Sequence, residues 1–119
     1  MKQIDFKLSM KLNEENVKVN CKGYPLNLDG LSLVIHRPMT TERGETFNAQ
    51  GYRLDIAVPV LNCWRITEVL TGLGFTGRNK TRLSATIDAK NIIDKMGIEK
   101  IKTMIDGHIK LMESNHVAD

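Results

Sequence analysis

The sequence predicts an α+β fold, in which an N-terminal antiparallel sheet of about five strands is followed by two C-terminal helices. Polar and apolar residues alternate through residues 3–12, which is the period of a strand with one buried face. In the C-terminal third, apolar residues recur every three or four positions, which is the period of a helix. Because all the strand patterns precede the helical ones, the order favours separate sheet and helix layers over alternating β-α-β units.

Length and composition bound the domain organisation. The chain has 119 residues, of which 41% are hydrophobic and 26% are charged. These values are typical of a globular protein, and we expect one domain over residues 1–119, strand-rich in 1–75 and helical in 81–114. No apolar run approaches the about 18 residues of a membrane span, and the alternating N-terminus does not resemble a signal peptide. We therefore expect a cytoplasmic protein.

Residues 3–22 predict a β-hairpin. One face of its first strand is apolar and consists of Ile4, Phe6, Leu8, Met10 and Leu12. The polar segment 13–16 has the composition of a turn. Val17, Val19 and Cys21 then resume the alternation, which indicates a second strand packed on the first.

The next segments predict turns, a short strand and a long loop. Residues 23–25 (Gly-Tyr-Pro) and 29–30 (Asp-Gly) have turn composition. Residues 31–37 form an apolar run that predicts a strand. Residues 38–51 are polar and contain two glycines, so we expect a long hairpin loop or a disordered one, more mobile than the strands beside it.

Residues 53–61 predict another strand. Its apolar positions are expected to point inward, and they are Leu54, Ile56, Val58 and Val60. Pro59 cannot donate to a ladder, so this end belongs at an edge or a bulge. Residues 63–70 fit either a strand or a helix capped by Asn62, and their β-branched and aromatic residues favour the strand.

Two helical stripes follow. The first consists of Leu83, Ile87, Ile92, Ile93 and Met96 and ends before Gly97, a residue typical of the position after a helix. The second consists of Ile98, Ile101, Met104, Ile105, His108, Ile109 and Met112. Both stripes are expected to pack against the sheet. Because the second stripe is wide, residues 98–112 also predict a contact between copies in a homo-oligomer.

A glycine-rich segment, Thr71–Arg82, precedes the first predicted helix. Gly72, Gly74 and Gly77 have the G-x-G-x-x-G spacing of a dinucleotide-binding turn, but the helical remainder of the chain leaves no parallel strands to complete that fold. The segment also departs from a phosphate-binding P-loop, because Asn79 stands where the second loop glycine is required. We therefore expect neither a dinucleotide-binding domain nor a nucleoside triphosphatase.

The same segment predicts an anion-binding site at the start of the helix. Backbone N–H groups near Gly77 and Thr81 lack helical acceptors, and a helix N-terminus carries a partial positive charge. Arg78, Lys80 and Arg82 add full positive charges beside it. Phosphate groups bind readily in such places.

Residues 78–102 hold the basic surplus of the chain. They contain seven Lys/Arg and three Asp/Glu, a net charge of +4, whereas the whole chain has a net charge of +3. The alternative interpretation of this region is a tight turn followed by a solvated basic helix face. A second alternative is a nucleic-acid-binding surface, whose affinity would fall steeply with salt.

Aromatic and strand-end residues complete the predicted site. Phe75 or Trp64 would stack on a base, and His36, Arg37 or Arg65 would contribute from neighbouring strand positions. No nucleophile, base or metal-ligand spacing accompanies them, and the two isolated cysteines of the chain are expected to be reduced. We therefore expect a non-enzymatic protein with no cofactor and no metal.

Three segments carry a resemblance to a known family. They are Leu33-Val34-Ile35-His36-Arg37, the Trp64–Leu73 stretch that ends in Thr-Gly-Leu, and Lys80-Thr81-Arg82 at a helix start. This layout, which covers roughly residues 31–105, resembles the Thoeris anti-defence sponge proteins of phages. The resemblance implies an N-terminal sheet with C-terminal helices, oligomerisation, and a location in the cytoplasm of an infected bacterium.

The resemblance also implies a function. Such proteins sequester a cyclic nucleotide-derived immune signal, so that the host effector is not activated. The sequence thus predicts a small binding protein for a phosphate-bearing nucleotide. The alternatives are a nucleic-acid-binding module that uses the basic 78–102 face, and a protein-binding inhibitor or structural subunit that uses a sheet edge or the Met-rich helix.

Overall fold

A computed structural model describes residues 2–117 of the chain, and the side chains of residues 2–113. It confirms the α+β class, with six antiparallel strands in two sheets followed by two helices. The elements are β1 (Ile4–Leu12), β2 (Glu15–Leu28), β3 (Leu31–His36), β4 (Met39–Phe47), β5 (Arg53–Pro59), β6 (Arg65–Glu68), α1 (Arg82–Met96) and α2 (Ile98–Val117). Neither helix in the described residues is long and apolar enough to cross a membrane.

The main sheet has the strand order β1-β2-β3-β6. The predicted hairpin over residues 3–22 is confirmed, but β2 continues to Leu28, so the predicted turn at 23–25 is wrong. Gly23 is the residue where β2 changes partner from β1 to β3. A Cβ atom there would lie 2.6 Å from the Ile35 carbonyl oxygen. The glycine therefore permits a close approach within a long strand rather than a reversal of the chain.

Strand β3 is buried on both faces. Leu31, Leu33 and Ile35 belong to the core cluster beneath α1 and α2. Val34 faces the other way and packs with Phe6 and other residues of a second cluster. This arrangement explains why the sequence of β3 is an almost continuous apolar run.

Strand β1 covers the second face of β3 because the sheet curls. The Ser9 N–H of β1 donates to the Gly72 carbonyl oxygen at 2.8 Å, and the Ser9 hydroxyl donates to the Thr71 carbonyl oxygen at 2.8 Å. The segment that follows β6 thus meets β1, the opposite edge of the same sheet. Strand β6 itself confirms the strand interpretation of residues 63–70 over the helical one.

Strands β4 and β5 form a separate two-stranded sheet, which we call the arm. The loop predicted at 38–51 is wrong, because Met39–Phe47 is a strand, and only residues 48–52 form the turn. The predicted strand at 53–61 is confirmed as Arg53–Pro59, but none of its four apolar positions is buried, and Ile56 is 48% exposed. Strand β4 is exposed along almost its whole length and has no alternation of polar and apolar residues, so its sequence gives no strand signal, whereas the alternation in β5 does.

Helix α1 packs on the sheet through small residues. Thr81 caps it by accepting a hydrogen bond from the Ser84 N–H at 3.0 Å, and Gly97 ends it with a φ of 83°, as predicted. The buried positions are Ala85, Ala89 and Ile93.

The predicted stripe of α1 is wrong in part. Leu83 is 70% exposed and Ile87 is 50% exposed. The two alanines allow the helix backbone to approach the sheet closely, and this contact fixes which side of the helix is buried.

Helix α2 is anchored mainly by its first turns. Ile101 is buried, and Ile98 and Ile105 pack against the same core cluster. Met104 is exposed, so the predicted stripe is only partly covered by this chain.

Candidate anion-binding site

Two arginines and two aromatic rings meet where β3 ends, β6 begins and α1 begins. The guanidinium carbon of Arg37 lies 3.7 Å from the centroid of the Trp64 ring. The guanidinium carbon of Arg82 lies 4.6 Å from the Tyr24 ring centroid and 5.5 Å from that of Trp64. The two rings are tilted by 54° with their centroids 6.2 Å apart. We call these four residues the arginine–aromatic cluster.

Backbone hydrogen bonds hold the cluster in place. Trp64 and Asn79 exchange two bonds: the Trp64 N–H donates to the Asn79 carbonyl oxygen at 2.6 Å, and the Asn79 N–H donates to that of Trp64 at 2.7 Å. The Asn79 side chain accepts from the Ser84 hydroxyl at 2.8 Å, which ties the same segment to α1. Arg37 Nη1 donates to the Cys63 carbonyl oxygen at 3.2 Å. Both arginines are therefore attached to well-fixed parts of the fold.

The electrostatics of the cluster suit an anion. Each arginine is attracted to an aromatic face, by about 0.5–1 kcal/mol where the contact is exposed. A guanidinium has five N–H donors, and a ring contact consumes none of them, so most remain available to a phosphate. Arg37 covers one face of Trp64, and that face holds a cation rather than a nucleobase.

The predicted residues before α1 lie next to the cluster in sequence. Arg78 and Lys80 are exposed on the segment that leads into the helix. The Thr81 hydroxyl serves as the N-cap, and the Gly77 carbonyl oxygen accepts from the Thr76 hydroxyl at 2.8 Å. No described atom lies within 4 Å of a Cβ placed on Gly77, so packing imposes no need for glycine there.

His36 lies in the core. It is 2% exposed, and its ring is 4.8 Å from that of Phe6. Its Nδ1 lies 2.8 Å from the Arg37 carbonyl oxygen, which only accepts, so Nδ1 carries the proton and Nε2 accepts from the Thr67 hydroxyl at 2.6 Å. Burial lowers the pKa of His36 below its ordinary value of 6.5; the bond to the Arg37 carbonyl opposes this shift, and the charge of Arg65 adds to it. This histidine is placed to stabilise the fold.

The side chains of Arg65 and Phe75 also contact other parts of the fold rather than an open binding surface. Arg65 Nε donates to the Thr76 carbonyl oxygen at 2.9 Å, and its guanidinium lies where a side chain on Gly74 would be. Phe75 is partly buried against the main core cluster. Gly72 has a φ of 72° in the turn that meets β1. The fold therefore explains why glycine is present at two of the three motif positions, Gly72 and Gly74.

Tyr24 is the cluster residue that the sequence prediction missed. It lies in the segment interpreted as a turn, and in the structure it pairs with Ile35 near the end of β3. Continuing the alternation of β2 through Gly23 would have placed Tyr24 on a strand beside β3.

No family model, curated protein or solved structure matches the chain. In the described residues, no group of three or more His, Cys, Asp or Glu side chains could hold a metal ion. The resemblance to the phage sponge proteins stays a prediction.

Proposed function

We propose that this protein is a non-enzymatic binding protein for a phosphate-bearing nucleotide. The observation that carries the proposal is the arginine–aromatic cluster, in which Arg37 and Arg82 are held together on Trp64 and Tyr24. The guanidinium of an arginine matches the oxygens of a phosphate, and such charge-assisted hydrogen bonds are stronger than neutral ones.

The phosphates are the part of the ligand that this site recognises. Arg37 and Arg82 bind them directly, and Arg78 and Lys80 raise the local positive potential. The backbone N–H groups of Arg82 and Leu83, at the first positions of α1, add donors without intrahelical acceptors. Because arginines already lie on the aromatic rings, the base contributes less to the affinity than the phosphates.

Sequestration of a cyclic nucleotide-derived immune signal is the specific form of this function that we propose. It takes place in the cytoplasm of a phage-infected bacterium and needs binding without turnover. The support is that each of the three segments of the family resemblance contributes one residue to the cluster, namely Arg37, Trp64 and Arg82.

Calorimetric titration with a panel of cyclic nucleotides and ADP-ribose derivatives tests the proposal. We expect Arg82→Ala to weaken binding by about ten- to a hundredfold, since a charge-assisted hydrogen bond contributes roughly 1.5–3 kcal/mol. Arg53→Ala is the matched control, because Arg53 also lies over a ring, 5.5 Å from the Phe47 centroid, but in the arm. It should bind as the wild type does.

The same titrations separate the alternatives. A wild-type protein that binds none of the panel contradicts nucleotide sequestration. Equal binding by Arg82→Ala places the site away from the cluster. Strong binding of single-stranded oligonucleotides, with an affinity that falls steeply with salt, favours the nucleic-acid-binding function, for which arginine and aromatic side chains are also typical.

A further inference from the structure

In the described residues, the outer edges of β1, β6 and β5 are each hydrogen-bonded to another segment at one position or more. On β1, Ser9 bonds to Gly72. On β6, the Ile66 carbonyl oxygen accepts from the Phe75 N–H at 2.8 Å. On β5, the Asn13 side chain bonds to both backbone groups of Asp55, at 2.7 Å and 3.1 Å. Sheet edges are aggregation-prone, and folded proteins protect them.

The outer edge of β4 is different. The two-stranded sheet ends at β4. No backbone group of residues 2–117 and no side chain of residues 2–113 bonds to the outward backbone groups of its first five residues, 39–43. A bulge between Arg43 and Phe47 limits the regular edge to this stretch.

The register shows which backbone groups point outward. Val60 N–H donates to the Pro38 carbonyl oxygen at 2.8 Å, so these two residues form a hydrogen-bonded pair. Bonded and non-bonded pairs alternate in an antiparallel ladder, so Thr41 and Arg43 direct their N–H and C=O groups away from β5. Asp55, which pairs with Arg43, shows the same alternation. Its backbone N–H and C=O groups also point away from the partner strand, and they bond to the Asn13 side chain.

The arm buries few side chains that could stabilise it. Of the nine residues of β4, only Gly44 is buried, and an isolated two-stranded hairpin is marginally stable in water. The radius of gyration is 15.8 Å, above the about 13.5 Å of a compact domain of this length. An additional strand on the open edge would supply the missing hydrogen bonds.

We propose that this edge binds the same edge of a second copy of the chain, antiparallel, with Thr41 opposite Thr41 on a two-fold axis. In this register the outward groups of residues 39, 41 and 43 meet outward groups of the other strand. Arg43 lies opposite Met39 and Glu42 lies opposite Thr40, so no like charges are opposed.

The charges of the strand favour this register over one alternative and disfavour a polyanionic partner. Shifting it by two residues, to pair Thr41 with Arg43, sets Glu42 against Glu42, which is destabilising. The strand contains two Glu and one Arg, a net charge of −1, which disfavours a polyanionic partner such as nucleic acid. A two-fold axis uses the same patch twice, as in most homodimers.

Light scattering over a concentration series tests the proposal. We expect the wild-type mass to rise from 13.4 kDa toward twice that value at high micromolar concentration. Thr41→Pro removes one outward N–H and no bond to β5, so it should reduce dimerisation at least tenfold. Thr41→Val is the matched control, since it keeps the backbone N–H, and it should dimerise like the wild type.

Amide exchange gives a second readout on the unmodified chain. The Thr41 and Arg43 amides should become more protected as the protein concentration rises. A wild-type monomer at every concentration overturns the proposal, as does unchanged dimerisation of Thr41→Pro. A dimer that persists in Thr41→Pro but is lost in Met104→Glu assigns the contact to α2 instead.

Discussion

Strands β3 and β4 share a secondary structure but are stabilised in different ways. Five of the six residues of β3 are buried, whereas one of the nine residues of β4 is buried. Burial on both faces stabilises β3, with each large apolar side chain contributing about 1.5–3 kcal/mol. In β4 the backbone ladder with β5 is the main source of order. The comparison teaches that a strand without a buried face, such as β4, can lack any hydrophobic pattern in the sequence, whereas burial on both faces gives β3 an apolar run.

The largest expected difference between the two regions is in core truncation. Leu33→Ala, in β3, removes a side chain that is 1% exposed, and we expect it to lower the free energy of unfolding by about 2–5 kcal/mol. Ile56→Ala, in the arm, should lower it by less than about 1 kcal/mol because its side chain is half exposed. Chemical denaturation measures both values. Similar losses for the two variants would show that the arm belongs to the same core.

A smaller effect is expected from acidification. The folded state lowers the pKa of His36 below 6.5 through burial, whereas unfolding restores the ordinary pKa. The unfolded state therefore takes up the proton first, and this part of the stability is complete above pH 6.5 and is lost as the pH falls through 6.5 toward the folded pKa. Thermal unfolding between pH 8 and pH 5 measures the loss.

Two variants assign the acid sensitivity. His36→Asn should be less stable than the wild type and should lose this part of the pH dependence, because the group at position 36 no longer titrates. His108→Asn is the control for the substitution itself, since His108 is half-buried on α2 and outside the core clusters, and it should lose less stability than His36→Asn. A His36→Asn profile parallel to that of the wild type would assign the sensitivity to other groups.

The smallest effect concerns the attachment of the arm. Asn13→Gly removes the side chain that bonds to Asp55, and glycine tolerates the positive φ of 51° at this position. We expect faster exchange of the Asp55 amide, with a change of less than about 1 kcal/mol in global stability. An unchanged exchange rate would mean that β5 is held to the main sheet by other contacts.

The kinds of side chain in the candidate site could be predicted from the sequence, but the exact set of residues that form it could not. The sequence predicts Arg37, Trp64 and Arg82 as site residues from their charge or their ring, and the structure brings them together. His36 and Arg65 have the same kind of chemistry, but their side chains bond to Thr67 and Thr76. Residue type alone does not distinguish a side chain at the surface from one directed inward.

The sequence by itself determined the elements whose signals are local. Alternation specified the β1–β2 hairpin, the apolar run specified β3, and the glycine at position 97 specified the end of α1. Each of these depends on residues that are neighbours in the chain, so a pattern of a few positions is sufficient.

Only the tertiary structure decided which surfaces are covered. It extended β2 through Gly23, made β4 a strand, and turned Ala85 rather than Leu83 of α1 toward the sheet. It also placed Tyr24 beside Arg82. These outcomes depend on close approach between distant segments, and the free energy of such contacts is set by packing that no local pattern encodes.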